Sequence, residues 1–434
     1  MKILLPVILC TLMVTGLTAQ DPYRVADWKT EHTLRTYLLQ EMHSLYDLRR
    51  ERLGKTLSSP DALDEYRALA RESYFRLLGE LPPKTPLNPG ITGRLPLGNI
   101  MLEKVIIESR PQHHITASLY LPAGKGPFPA VLFFCGHEMT SKATLSYMQT
   151  AMLFAVNGIA VMVTDPVSQG ERVQFTDTDG SRILRGSTTE HTLLNAGAIL
   201  TGSSVAAWEL YDNIRALDYL VSRPDIDSSR IGCMGNSGGG AQTMWFIGYD
   251  DRIKAAAPCS FITSREREYE LNGTGDGCQQ IPGEGRAGLE IADYLAVFAP
   301  KPLLILAGRY DFVDYRGTVD AFNDLKSVYN LAGFPGQVSL FTGDDGHGLS
   351  APKREAALLW FIKWLNAAGS PIITEIPPAL SEKDTWCTPS GQVNTMFPDE
   401  VTMQEYTRRR VREIETERRV FREGNKRKTL IDTL

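Results

Sequence analysis

The chain has 434 residues, 43% of them hydrophobic and 22% charged, with a net charge of −5 at neutral pH. That apolar share supports a large buried core in one or two domains and excludes a disordered or low-complexity protein. The mild acidity supplies no counter-charge for phosphate backbones, so nucleic acid is not expected as a partner.

At the N-terminus Lys2 precedes an apolar run from Ile3 to Leu17, followed by Thr18-Ala19-Gln20-Asp21. The run is short and broken by Pro6 and Gly16, which suits a secretory signal peptide over residues 1–20 better than a membrane span. Leu9 stands before Cys10 where a lipidation site needs a small residue. The expectation is a secreted or periplasmic protein with no integral membrane segment once the signal is removed. Export permits disulfides, and five cysteines follow the signal, an odd number that leaves at least one without an intrachain partner. Cys135 and Cys233 sit on or beside apolar runs and read as small core residues. A bridge between Cys259 and Cys278 is left open.

Residues 28 to 80 carry helical periodicity, with Leu34, Leu38, Met42 and Leu45 on one stripe and Leu63, Tyr66, Ala70 and Tyr74 on another. Ser59-Pro60 supplies a cap and a first-turn proline for the second helix. Gly79-Glu80-Leu81-Pro82-Pro83 stops it, and a proline-rich stretch leads to paired strands at Glu103–Glu108 and His114–Leu121. Strands and helices then alternate as in a parallel sheet: Ala130–Phe134, Gly158–Asp165, a helix at Ser203–Ser222, then strands at Arg230–Met234, Ile253–Cys259, Pro302–Ala307 and Val338–Phe341. A helix at Pro352–Asn366 closes the series. The implied division is a helical extension at 21–95, a catalytic domain at 96–368 and a C-terminal extension with a basic helix at 369–434. Insertions at about 173–202 and 260–299 fall at C-terminal strand ends, where open α/β sheets bind ligands. Asp177-Thr178-Asp179-Gly180 begins like a calcium loop but offers Thr188 at the position of the bidentate glutamate, so no metal is expected.

The chemistry concentrates at Gly235-Asn236-Ser237-Gly238-Gly239, which follows the apolar run Arg230–Met234 and precedes a helix. G-x-S-x-G in that setting is a nucleophile elbow, whose strained turn lifts the serine above the sheet edge and needs small neighbours. In folds built on this elbow the triad runs Ser, acid, His along the chain. Of the seven histidines only His347 lies after Ser237, in a loop hung from the strand Val338–Phe341. The acid is expected just past Leu303–Gly308, where it orients the imidazole and stabilises its cation. Asp311 is the first candidate and Asp314 the second, with Asp344 and Asp345 crowding His347 in its own loop. The oxyanion hole takes the backbone N–H of Gly238 and a second N–H from the loop Cys135-Gly136-His137-Glu138-Met139. Either His137 or Glu138 supplies it, and no H-G-G-G motif is present.

Four stretches resemble the α/β-hydrolases of the acetyl-xylan-esterase-like branch, related to dienelactone hydrolase and the prolyl oligopeptidase catalytic domain. They are Phe134–Glu138, Asp165–Arg172, Gly232–Gly240 and Asp276–Gln280, and the similarity covers roughly residues 30 to 370. The resemblance implies an α/β-hydrolase fold, a mostly parallel sheet flanked by helices, with Ser237, Asp311 and His347 as nucleophile, acid and base and no cofactor. It also sets Gln169 and Arg172 near the pocket floor as candidate substrate contacts, Arg172 being either paired with a buried carboxylate or facing a uronic acid.

The leading expectation is an exported serine esterase that removes acetyl or small acyl groups from a polysaccharide or oligosaccharide. An esterase acting on uronic acid esters, such as methylated pectin or a glucuronoyl ester, is the alternative. A basic side chain in the pocket favours the second and an apolar acyl pocket the first. A peptidase of this lineage needs a large N-terminal domain that about a hundred residues cannot build. A non-catalytic binding module would lack a triad member, and none is missing. Nothing in the composition speaks to oligomeric state.

Overall fold

A computed structural model describes residues 30–273, 275–367 and 376–423. The expected signal peptide lies outside the described residues, as do Lys426, Arg427 and Lys428. The chain divides into two compact units, Met1–Ser44 and Leu45–Leu434. The described part of the first is the opening of helix α1 (Thr30–Thr56), where Leu34 and Leu38 are exposed. The apolar stripe expected there is therefore not a core face.

In the second unit α2 (Pro60–Leu78) begins as its sequence dictates: the Ser59 hydroxyl accepts the Ala62 N–H at 3.2 Å, and Pro60 occupies the first turn, where no hydrogen bond is lost. Its buried stripe is Leu63, Tyr66, Ala70 and Tyr74. Tyr74 donates to the Trp245 carbonyl at 2.9 Å, and its ring meets Trp245 and Tyr294. A buried tyrosine thus keeps its hydroxyl satisfied while adding aromatic contact area.

One nine-stranded sheet follows: β1 (Gly90–Leu97), β2 (Ile100–Arg110), β3 (His113–Leu121), β4 (Phe128–Phe134), β5 (Ala160–Thr164), β6 (Ile226–Asn236), β7 (Ala255–Cys259), β8 (Leu303–Gly308) and β9 (Val338–Gly343). Their order is β1-β2-β3-β5-β4-β6-β7-β8-β9. The pairs from β1 to β5 through β2 and β3 are antiparallel, and every pair from β5 through β4 to β9 is parallel. β1 was not expected. Prolines argue against a strand in this stretch, yet Pro96 sits on an edge strand, where a missing N–H costs no ladder bond. A boundary at residue 95 therefore cuts through β1.

The connecting helices are α3 (Leu145–Val156), α4 (Ser187–Ile199), α5 (Val205–Ser222), α6 (Gly238–Tyr249), α7 (Arg265–Leu271), α8 (Ile291–Phe298), α9 (Tyr315–Leu331) and α10 (Ala351–Trp364). Strand alternation sorts side chains to the two faces. Leu132, Phe134 and Cys233 join the cluster containing α5, α6 and α8 residues, while Val131, Phe133 and Met234 join the one with α3 and α10. Full burial of each large apolar side chain is worth about 1.5–3 kcal/mol.

The C-terminal extension holds α11 (Glu382–Thr385), α12 (Val393–Met396) and α13 (Met403–Glu423) and packs back on the body. Glu171 accepts the backbone N–H groups of Cys387 and Thr388, both at 2.7 Å. Val401 donates to Gln112, and its carbonyl meets His113 Nδ1 at 2.9 Å.

Candidate active site

Ser237 stands at the β6–α6 junction with φ 57° and ψ −120°, a conformation costly for any residue with a Cβ. The flanking glycines answer a packing demand. A Cβ on Gly235 would overlap the Gly239 carbonyl oxygen, and one on Gly239 the Phe134 carbonyl oxygen. The turn therefore packs directly onto the end of β4, and Ser237 N–H is held by the Cys259 carbonyl at 2.9 Å.

Beyond β8, Asp311 Oδ1 meets His347 Nδ1 at 2.8 Å. The Asp311 carboxyl is almost fully buried, while the His347 side chain is a quarter exposed. Burial alone would raise the Asp311 pKa, but the His347 hydrogen bond and the Val313 N–H outweigh it and hold the group below the ordinary carboxylate range. Asp314, the second candidate, is engaged elsewhere. It caps α9 by accepting the Gly317 N–H at 3.0 Å and pairs with Arg316. Asp344 pairs with Arg309, and Asp345 lies 2.8 Å from the buried Lys353 ammonium.

Ser237 and His347 line one cavity of about 500 Å³. Its walls come from the loop after β4 (His137, Glu138), from α4 (Thr188) and from the insertion after β7 (Phe261, Glu268, Asp276). Phe312 closes another side, 65% exposed and stacked on His347 with centroids 4.3 Å apart. Both insertions thus reach the cavity, as expected of segments at C-terminal strand ends.

His137 and Glu138 line the same cavity as Ser237. A Cβ on Gly238 would come within 2.8 Å of His137 Cε1, so only glycine fits between the two segments. Tyr147 braces this loop, accepting the Gly136 N–H at 3.1 Å and donating to the Glu138 carboxylate. The His137 side chain turns toward Cys278, with Nε2 to Sγ at 3.0 Å, and its Nδ1 lies 3.4 Å from Asp276 Oδ2. Burial, with a smaller push from His347, lowers its pKa to about 4.

Gln169 and Arg172 do not reach the cavity. Gln169 is buried, and its amide donates to the carbonyls of Gly136 and Glu138, so it braces the loop after β4 from behind. Arg172 is buried against Asp212 at 2.6 Å and donates to the Asp165 carbonyl at 2.9 Å. Arg110 binds the same Asp212 carboxylate. The Arg172 guanidinium is buried and held by Asp212, the Asp165 carbonyl and His113 Nε2, away from the cavity, so neither Gln169 nor Arg172 is a substrate contact. All five described cysteines are free and buried, so Cys259 and Cys278 are not bridged.

Sequence reasoning missed Phe312, whose exposure follows from its place in the acid's loop. It also missed the buried lysine below the histidine: Lys353 Nζ donates to the Gly346 and Gly348 carbonyls at 3.0 and 2.9 Å, on either side of His347.

Residues 98–282 match the family model described as acetyl xylan esterase, and residues 202–367 match that of the prolyl oligopeptidase family. The YtaP protein of Bacillus subtilis, named as a hydrolase, is 27% identical over 314 residues, covering 69% of this chain and all of that protein. Among solved structures, methylesterase BT1017 superposes with a TM-score of 0.71 at 19% identity, over 87% of this chain and 81% of its own. A glucuronoyl esterase from Solibacter usitatus gives 0.53 at 17% identity, over 71% and 94%. At these identities the two structures speak for the fold alone. Sheet order, elbow and family match together identify the chain as an α/β-hydrolase of the acetyl-xylan-esterase-like branch, and as a carboxylic ester hydrolase.

Proposed function

We propose that the protein is an exported serine esterase that removes acetyl or similarly small acyl groups from a polysaccharide or oligosaccharide. Ser237 is the nucleophile, His347 the base and Asp311 the acid that orients it. In the reaction His347 takes the Ser237 proton as Oγ attacks the ester carbonyl. The N–H of Gly238 and that of His137 or Glu138 hold the oxyanion, and the alcohol leaves with the proton from His347. Water then hydrolyses the acyl-enzyme by the same route in reverse. The names of the related esterases support a carbohydrate ester as substrate.

The observation that carries the acyl preference is the composition of the cavity wall. Among the described residues it contains Glu138, Glu268 and Asp276 but no Arg or Lys. The free uronate that a uronic ester releases, and any unesterified uronate beside it, would meet acidic neighbours and no cation, whereas an acetylated neutral sugar and its product meet no such penalty. With Arg172 committed to Asp212, the basic contact that favoured the uronic ester is gone.

The test is release of acetic acid from acetylated xylan and of methanol from methyl-esterified pectin, with wild type and Ser237→Ala side by side. Acetate release that falls at least about 10³-fold in the variant supports the reading. Methanol release alone overturns the acyl assignment in favour of uronic esters. Activity retained by Ser237→Ala overturns the nucleophile.

A further inference from the structure

Beside the catalytic cavity three side chains from distant segments converge: His137 after β4, His191 on α4 and Cys278 in the insertion after β7. One ligand atom of each lies within 4.8 Å of the others. The two rings sit 5.2 Å apart and nearly edge to face. No composition or spacing signal pointed to this cluster, because the residues are far apart in sequence.

The hydrogen bonds around the cluster leave lone pairs facing inward. His191 is fully buried, and its Nε2–H donates to the Val167 carbonyl at 2.8 Å. That fixes the tautomer and leaves Nδ1 as an acceptor, and this atom has no hydrogen-bond partner. A buried acceptor without a partner is costly and calls for a ligand. His137 shows the same polarity: Nδ1 faces the Asp276 carboxylate at 3.4 Å, while Nε2 meets the Cys278 sulfur at 3.0 Å. An imidazole whose outer nitrogen donates to a carbonyl or carboxylate is the arrangement that orients histidine ligands toward a metal.

We propose that His137 Nε2, His191 Nδ1 and Cys278 Sγ form a binding site for a divalent d-block cation of the zinc class. Two imidazoles and a thiolate suit such an ion, and three protein ligands leave the fourth position to water from the adjoining cavity. Tetrahedral bonds of about 2.0–2.3 Å require ligand atoms roughly 3.3–3.6 Å apart, so a movement of about 1 Å completes the site. Binding replaces the Cys278 S–H bond by a metal–sulfur bond and releases that proton to solvent, one per cation. The ion would tie α4 and the insertion loop to His137, whose ring packs against Gly238 at the oxyanion position. The site shares His137 with the loop beside Ser237 but uses no atom of Ser237, so its test does not depend on the serine.

The experiment uses the full chain, reduced and stripped with a chelator, titrated with Co²⁺ alone and then with Zn²⁺. The expected result is about one cobalt per chain, a near-ultraviolet thiolate-to-cobalt band, and a higher melting temperature with zinc. Cys278→Ser should abolish the band, and His191→Gln should weaken binding by more than the 10- to 100-fold that loss of an outer partner costs. Cys387→Ser, at a cysteine buried elsewhere, and Ser237→Ala should bind as wild type. Circular dichroism of each metal-free variant separates lost binding from lost fold. If Cys278→Ser does not fold, His191→Gln decides. Absence of a thiolate band in folded wild type overturns the site. So does a band that survives both substitutions.

Discussion

Asp311 Oδ1 lies 2.8 Å from His347 Nδ1, whereas Asp314, three residues on, is turned into the cap of α9. The two acids are therefore separable by experiment. Asp311→Asn should lower kcat by about 10⁴-fold, the loss expected when the histidine is held in the wrong tautomer. Asp314→Ala should leave kcat near wild type and cost about 1 kcal/mol of stability through the lost cap. Steady-state kinetics on a small chromogenic acetate, with urea unfolding of both variants, checks the pair. A large kcat loss in Asp314→Ala would reverse the assignment.

Lys353 is fully buried beneath the His347 loop, holding the carbonyls of Gly346 and Gly348 and lying 2.8 Å from Asp345. Lys353→Met would leave those acceptors and the Asp345 charge without their partner. A loss of roughly 3 kcal/mol in unfolding free energy is expected, with a fall in kcat and little change in KM. The split between kcat and KM is the informative readout, because a purely structural role would lower the folded fraction without changing kcat per folded molecule.

Phe312 presents one face to His347 and stays 65% exposed at the cavity wall. An apolar ring there gives a sugar a surface to lie on. Phe312→Ala should raise KM for an acetylated oligosaccharide by about three- to tenfold, from the energy of such a contact. For a chromogenic acetate without a sugar, KM should move much less. Equal changes for the two substrates would argue against a sugar contact.

The sequence made the elbow, the acid's strand and the histidine legible because each is a local pattern: an apolar run followed by a turn of definite chemistry. It also made the buried stripe of α2 legible, since Leu63, Tyr66, Ala70 and Tyr74 keep helical spacing. It did not reveal where Arg172 points. That direction depends on Asp212, 40 residues away on α5, and on the shared pull of Arg110. The meeting of His137 and Cys278 was hidden for the same reason, the two being 141 residues apart. Local periodicity carries no information about such meetings.

Acid should act on the C-terminal extension. Glu400 is buried between His113 and His114. Burial raises its pKa, but hydrogen bonds from the two histidines outweigh it and bring the group down from 4.5 to about 2. A carboxylate whose pKa is depressed by folding contributes stability that is complete above the unfolded value and is lost as pH falls toward the folded one. The contribution should therefore be present above about pH 4.5 and decline between 4.5 and 2. Urea unfolding of wild type and Glu400→Gln checks this. The gap between them should be constant near neutrality and close below pH 4.5, and a gap that does not narrow there would refute the assignment.

Glu171 is completed by the backbone of Cys387 and Thr388, 216 and 217 residues later in the chain. Translation proceeds from the N-terminus, so the turn from Gln169 to Arg172 is made long before its closing strap exists. Until those residues are made, Glu171 lacks two of the backbone donors that close it and keeps only its pairing with the buried Lys142. The loop after β4 hangs from this same turn through the Gln169 amide. Support for the loop beside Ser237 therefore depends on residues more than 200 positions downstream, and a cut that removes residues 387 and 388 would loosen it without touching Ser237.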